Sequence, residues 1–180
     1  MTRYDPTPYA VLDIESDGVE DTAMPWEIAV LTYEEGDWRE TVIQISDYDR
    51  QMSVEAEAVN HFSQRYGRAQ VHAQDADATW WAVRETAAAA LTQTLSGKML
   101  VGANVWKDAR WLENLGAAGW NYRMTDLGSM FLGAYGYRPG GQWAIAEALD
   151  IAQPEDAQHT ALGDARVARD IFEHIMLDRR

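Results

Sequence analysis

Two carboxylates stand one residue apart in the first apolar run of the chain, Tyr9-Ala-Val-Leu-Asp13-Ile-Glu15. Near the other end an imidazole and a carboxylate stand five apart, in His159-Thr-Ala-Leu-Gly-Asp164-Ala165. Asp108 lies between them, in Gly102-Ala-Asn-Val-Trp-Lys-Asp108-Ala-Arg-Trp-Leu112. Strand side chains alternate faces, so Asp13 and Glu15 point one way while Leu12 and Ile14 point the other. Two like charges on one face of a buried strand repel and lose hydration, which is tolerable only with a cation between them. A divalent metal is the natural candidate, and magnesium and manganese prefer oxygen ligands. Four carboxylates and one imidazole suit two-metal phosphodiester hydrolysis, where the ions stabilise both attacking and leaving oxygens. Imidazole, with a pKa near neutrality, is suited to act on the attacking water.

Each part has a duller reading. A D-x-E on a strand is common by chance, Asp108 could serve a helix dipole, and His159 could be a solvated loop residue. The conjunction carries the argument, because all five groups sit beside apolar residues that should turn them inward.

The elements that must position these groups are legible in outline. Tyr9 to Ile14 reads as a central strand, apolar on both faces. Trp26 to Tyr33 is a second strand, and Glu35-Gly36-Asp37 a hairpin turn into a third, Trp38 to Ile45. Ser53 to His61 and Asp77 to Leu95 read as helices, the latter rich in alanine. Lys98 to Val101 is a short strand closed by Gly102, Val105 to Leu115 a helix, and Met124-Thr125 a short fifth strand. Helices follow from Leu127 to Ala134 and from Gln142 to Leu149, with a polar loop from Gln153 to Gln158. In the last helix Ala161, Ala165, Ala168, Phe172 and Ile175 form an apolar stripe, with Asp164 beside it. A sheet whose strand ends feed such turns can gather distant carboxylates into one crevice. The reading is one α/β domain over residues 1–180, a mixed sheet of about five strands, the first three antiparallel, with helices on both faces.

The 180 residues are 47% hydrophobic, with eight Trp, eight Tyr and three Phe, as in a globular protein rather than a disordered one. No apolar run approaches a membrane span, Met1-Thr-Arg-Tyr-Asp does not read as a signal peptide, and a cytoplasmic protein without membrane partners is expected. The absence of cysteine excludes disulfides, thiolate zinc sites and cysteine nucleophiles. A net charge of −14 argues against gripping long nucleic acid, since phosphate neutralisation by Lys and Arg supplies most of that affinity. A short nucleic-acid end held through bound cations is compatible with it.

The order Asp-x-Glu, a midway Asp and His-x4-Asp resembles the DEDDh exonucleases, a branch of the ribonuclease H-like superfamily that includes ribonuclease T, oligoribonuclease and proofreading subunits. The likeness runs from about Tyr9 to Phe172. Leu12-Asp-Ile-Glu-Ser-Asp-Gly18 is similar to the family's first motif, Glu27-Ile-Ala-Val30 to its second strand, and Gly102 to Leu112 to its third motif. Ala103 and Lys107 depart from that third motif, where the family often has His and an aromatic residue. His159 to Ala165 matches H-x-A-x-x-D-A. The resemblance implies that Asp13, Glu15, Asp108 and Asp164 hold two Mg2+ or Mn2+ ions, with Asp13 shared. It implies that His159 is the general base, on a loop able to move toward the metals, and that Ser16 flanks the terminal nucleotide. The implied activity is a 3′–5′ exonuclease acting on single-stranded RNA or DNA 3′ ends and releasing nucleoside 5′-monophosphates. The acidic surface favours RNA. The alternatives are a DNA proofreading or repair subunit beside a polymerase, and a non-catalytic scaffold. A homodimer is compatible with the resemblance.

Outside that set, Trp26 and Trp106 are the candidate base-stacking platforms among tryptophans expected mainly to pack in the core, and Asp126 is expected to cap a helix. Asp17, Glu20 and Asp21 read as a solvated acidic loop. His61 reads as a helix-end residue, and His72 and His174 as surface residues.

Overall fold

The computed structural model describes residues 8–67, 76–154 and 157–177; His72 and part of the 153–158 loop lie outside them. Strands β1 (Tyr9–Ser16), β2 (Pro25–Glu34) and β3 (Asp37–Ile45) are consecutive and antiparallel. Glu35 and Gly36 join β2 to β3 with φ of 54° and 98°. Two consecutive positive φ values give a turn whose twist matches that of the strands it connects.

Three short parallel strands complete the sheet. They are β4 (Ala78–Ala82) beside β3, β5 (Met99–Gly102) beside β1, and β6 (Met124–Asp126) beside β5. The order is β4-β3-β2-β1-β5-β6, so β1 is central. Six strands are thus described where about five are expected from the sequence. The extra one overturns the helix expected from Asp77. Thr41↔Ala78 through Ile45↔Ala82 are paired, and helix α3 begins only at Arg84 and runs to Leu95. Thr79, Trp80 and Trp81 are β-branched or aromatic and suit a pleated edge. The alanine run that suggested a helix starts six residues after Trp81, and Val83 is still extended at φ −67° and ψ 156°.

The other helices are α1 (Val54–Asn60), α2 (Phe62–Arg65), α4 (Val105–Leu115), α5 (Leu127–Tyr135), α6 (Gln142–Ala148) and α7 (Ala161–Leu177). None of the described helices is long and apolar enough to cross a membrane.

Two cores follow from the alternation along β1. Ala10, Leu12 and Ile14 pack with α3 and α4 on one face, while Val11 packs with α5, α6 and α7 on the other. Asp13 and Glu15 continue the Val11 face, the one covered by α7. Ala161, Ala165 and Ala168 are each fully buried on that helix. Small side chains let the helix lie close to β1 and β2, bringing its first turn to the end of the strand that carries Glu15.

Candidate active site

Asp13, Glu15 and Asp164 each offer a carboxylate oxygen, and these atoms lie within 4.8 Å of one another. They come from the central strand and the first turn of α7. Trp143 Nε1 on α6 donates to Asp164 Oδ1 at 2.7 Å, and Gln142 Nε2 reaches the Asp164 carbonyl at 3.4 Å. Asp108 is buried in the first turn of α4, and its Oδ2 has no hydrogen-bond partner. It stands outside the tight trio, but its charge acts on Asp13.

The turn that delivers Asp108 is built from special residues. A Cβ on Gly102 would stand 2.9 Å from the Leu12 carbonyl, so glycine lets the end of β5 close against β1. Asn104 follows in the left-handed region at φ 63°, and its N–H donates to Asp126 Oδ2 at 3.0 Å. Asp126 Oδ1 accepts from Ser129 N at 2.8 Å, capping α5 as its sequence position suggests. One carboxylate therefore braces two helix starts.

The electrostatics are those of buried carboxylates crowded together. Burial pushes Asp13 well above the usual carboxylate range, and Asp164, Asp108, Glu15 and Glu27 all push it further. Glu15 rises from 4.5 to about 8, chiefly by burial, with Arg65 as the main opposing influence. Asp164 rises to about 6, again by burial, against the stabilising bond from Trp143. Asp108 is also raised by burial, with Lys107 opposing. Oxygen ligands held together against repulsion, one of them orphaned, fit a hard divalent cation.

His159 is half-buried just before α7 and has φ 60°. For a residue other than glycine this conformation costs about 1–3 kcal/mol and persists only when its surroundings enforce it. Burial lowers its pKa, and the nearby His61 and Arg65 lower it further. Its carbonyl accepts from Arg65 Nη1 at 2.6 Å. Arg65 is itself buried, ion-paired to Glu27 through Nη2, with Cζ 5.0 Å over the Trp26 ring.

Ser16 is buried, and its Oγ donates to Gly18 O at 2.6 Å. That hydroxyl bridges the turn after β1. Asn60 Nδ2 donates to the Ser16 carbonyl at 3.0 Å. Asp17 corrects the expectation of a solvated loop. It is buried, accepts from Met24 N at 2.8 Å and pairs with Arg50 Nε at 2.9 Å, while Glu20 and Asp21 are exposed. Trp26 is fully buried and cannot stack on a base, whereas Trp106 is 52% exposed. His61 ends α1 at φ 52°, and His174 is exposed.

Sequence reasoning missed Arg65, Asn60 and Trp143 as supports, and gave Glu27 no role beyond its motif. Nothing in their spacing marks them, because their partners are 38 residues away for Arg65, 44 for Asn60 and 21 for Trp143.

No known family model matches the sequence, and no curated protein matches it by sequence comparison. Solved structures do resemble it. Exonuclease X in complex with 5′ overhanging duplex DNA is similar at a TM-score of 0.67 and 15% identity, over 94% of this chain and 92% of that one. The Neurospora crassa Pan2 catalytic unit (protease and nuclease domain) is similar at 0.61 and 12%, over 99% of this chain and 29% of that one. The chain thus spans under a third of that Pan2 unit. It shares its fold with Exonuclease X.

Proposed function

We propose that this protein is a metal-dependent 3′–5′ exonuclease that hydrolyses phosphodiester bonds at single-stranded 3′ ends and releases nucleoside 5′-monophosphates. The observation that carries the reading is the trio of Asp13, Glu15 and Asp164 oxygens within 4.8 Å of one another. Asp108, with its unpartnered Oδ2, supplies the fourth carboxylate.

Two Mg2+ or Mn2+ ions would be held by Asp13, Glu15, Asp108 and Asp164, and when bound they supply charge stabilisation for the attacking and leaving oxygens. Trp143 fixes one Asp164 oxygen, leaving the other free to ligate. His159, its pKa lowered by burial, is neutral near pH 7 and keeps an imidazole lone pair with which to take a proton from water. Ser16 contributes through the turn its hydroxyl shapes, beside the place of the terminal nucleotide. RNA is favoured by the −14 charge, which suits short ends over long polyanions. The second reading, a DNA exonuclease, has its own support in the similarity to a structure that holds DNA.

The test is purified protein with magnesium or manganese on 5′-labelled single-stranded RNA and DNA, beside Asp164→Ala and His159→Ala. The expected result is a ladder shortening from the 3′ end, lost with Asp164→Ala and slowed ~10²–10⁴-fold with His159→Ala. Cleavage unchanged by either substitution overturns the assignment. Faster cutting of mismatched DNA ends than of RNA selects the second reading.

A further inference from the structure

We propose that Arg65 is a positioning residue for His159, its guanidinium clamping the His159 carbonyl to Glu27 and so fixing the backbone from which the imidazole projects. The proposal rests on the reading of His159 as the group that acts on water.

The clamp has two rigid jaws. Glu27 lies in β2, paired in register with Glu15 on β1 and Gln44 on β3. Its Oε1 accepts from Gln44 Nε2 at 2.9 Å, and its Oε2 accepts from Ala161 N at 3.1 Å and from Arg65 Nη2. Glu27 therefore holds the first residue of α7 directly. Arg65 then extends its reach to the residue two positions earlier, since Nη1 donates to His159 O at 2.6 Å and to Asn60 O at 2.9 Å. Backbone groups on both sides of Thr160 are thus tied to one strand carboxylate.

The segment under the clamp is tightly built. Thr160 Oγ1 donates to Ala157 O at 2.7 Å and accepts from Gly163 N at 3.0 Å. A Cβ on Gly163 would lie 2.0 Å from Ala157 O, so the turn rests on α7 without a gap. Within it His159 adopts the left-handed conformation, which a residue other than glycine leaves unless its peptide is tied on the far side. Arg65 is the tie. Buried arginine–carboxylate pairs are often replaceable by apolar residues without loss of stability, so fold stability does not by itself account for this one. The geometry needs arginine, because one planar fork reaches Glu27, Asn60 and His159 at once. A lysine ammonium on a flexible stem does not reproduce that fork.

Arg65→Lys in the full chain tests this. Cleavage of labelled single strands should lose ~10²-fold in kcat, the scale of a misplaced catalytic group, with KM within about twofold. In a His159→Ala background the same change should do almost nothing, because residues that act as a unit are not additive. Independent, multiplicative losses overturn the proposal, as does a raised KM with unchanged kcat. A second readout needs no activity. With histidines isotope-labelled, nuclear magnetic resonance of Arg65→Lys should show His159 signals shifted and broadened while exposed His174 stays put. Unmoved His159 signals overturn the clamp. Should Arg65→Lys not fold, Glu27→Gln/Arg65→Gln leaves no buried charge unpaired, and the same His159 response is expected from it. Full activity of His159→Ala alongside shifted His159 signals in Arg65→Lys overturns the reading on which the proposal rests, not the clamp itself.

Discussion

Glu15 and Glu27 face each other across β1 and β2, one residue pair in the same ladder. Both are buried, at 8% and 2% exposure. Their surroundings differ, although Arg65 acts on both. Glu27 is met by a guanidinium, an amide and the first N–H of a helix. Glu15 is pushed to about 8, chiefly by burial, and Arg65 and Asn60 offset this and the charges of Asp164 and Glu27 only in part. Glu40, on β3 of the same sheet, resembles Glu27 and is gripped by Arg166 and Arg169. A buried carboxylate with its partners built in belongs to the framework. One left among like charges is where the proposed cation would act.

The contrast can be broken by substitution. Asp13→Asn should reduce cleavage by at least ~10³-fold, roughly 4 kcal/mol of barrier. It should leave the metal-free protein as stable as before or more so, which calorimetry checks. Glu27→Ala should do the reverse to the fold. Stranding Arg65 in the interior costs about 3–5 kcal/mol, a drop of roughly 10 °C in Tm for a chain of this size. An equal drop from Glu15→Ala would erase the distinction.

Acidity sharpens it further. Glu15 and Asp164 have folded-state pKa values raised to about 8 and about 6, above the ordinary 4.5 and 3.8. Between those limits the folded state keeps protons that the unfolded chain releases, so stability falls as pH rises. The metal-free protein should therefore lose Tm by several degrees from pH 5 to pH 8, and magnesium should flatten the slope. A flat profile without metal would mean that a protein cation already neutralises the trio. The smallest effect is expected at Trp143→Phe, which removes the donor to Asp164 Oδ1 and should weaken Mn2+ binding ~10-fold by titration calorimetry. Tm should hardly move.

The sequence revealed the cage residues more readily than their supports, and the reason is physical. Asp13 and Glu15 share a face because strands alternate, and the α7 stripe repeats every three or four residues, so local periodicity displays both. The Glu35-Gly36 hairpin is equally local. Arg65 carries no such mark, since a charged residue ending a short helix ordinarily faces water. Its burial depends on Glu27 from β2 and on a carbonyl 94 residues further on. Trp143 is silent for the same reason. The β4 strand was hidden differently, because its backbone pairing with β3 outweighs the helical pull of the alanines behind it.

The chain order of the cage has a consequence in time. Asp13 lies on the first strand and Asp164 on α7, and the contact that seats α7 on Glu27 spans 134 positions. Contacts so distant along the chain close slowly and cannot form until both partners exist. A polypeptide still leaving the ribosome, with α7 not yet made, carries Asp13 and Glu15 without Asp164. The carboxylate trio is complete only when α7, the last described element of the chain, is laid on the sheet.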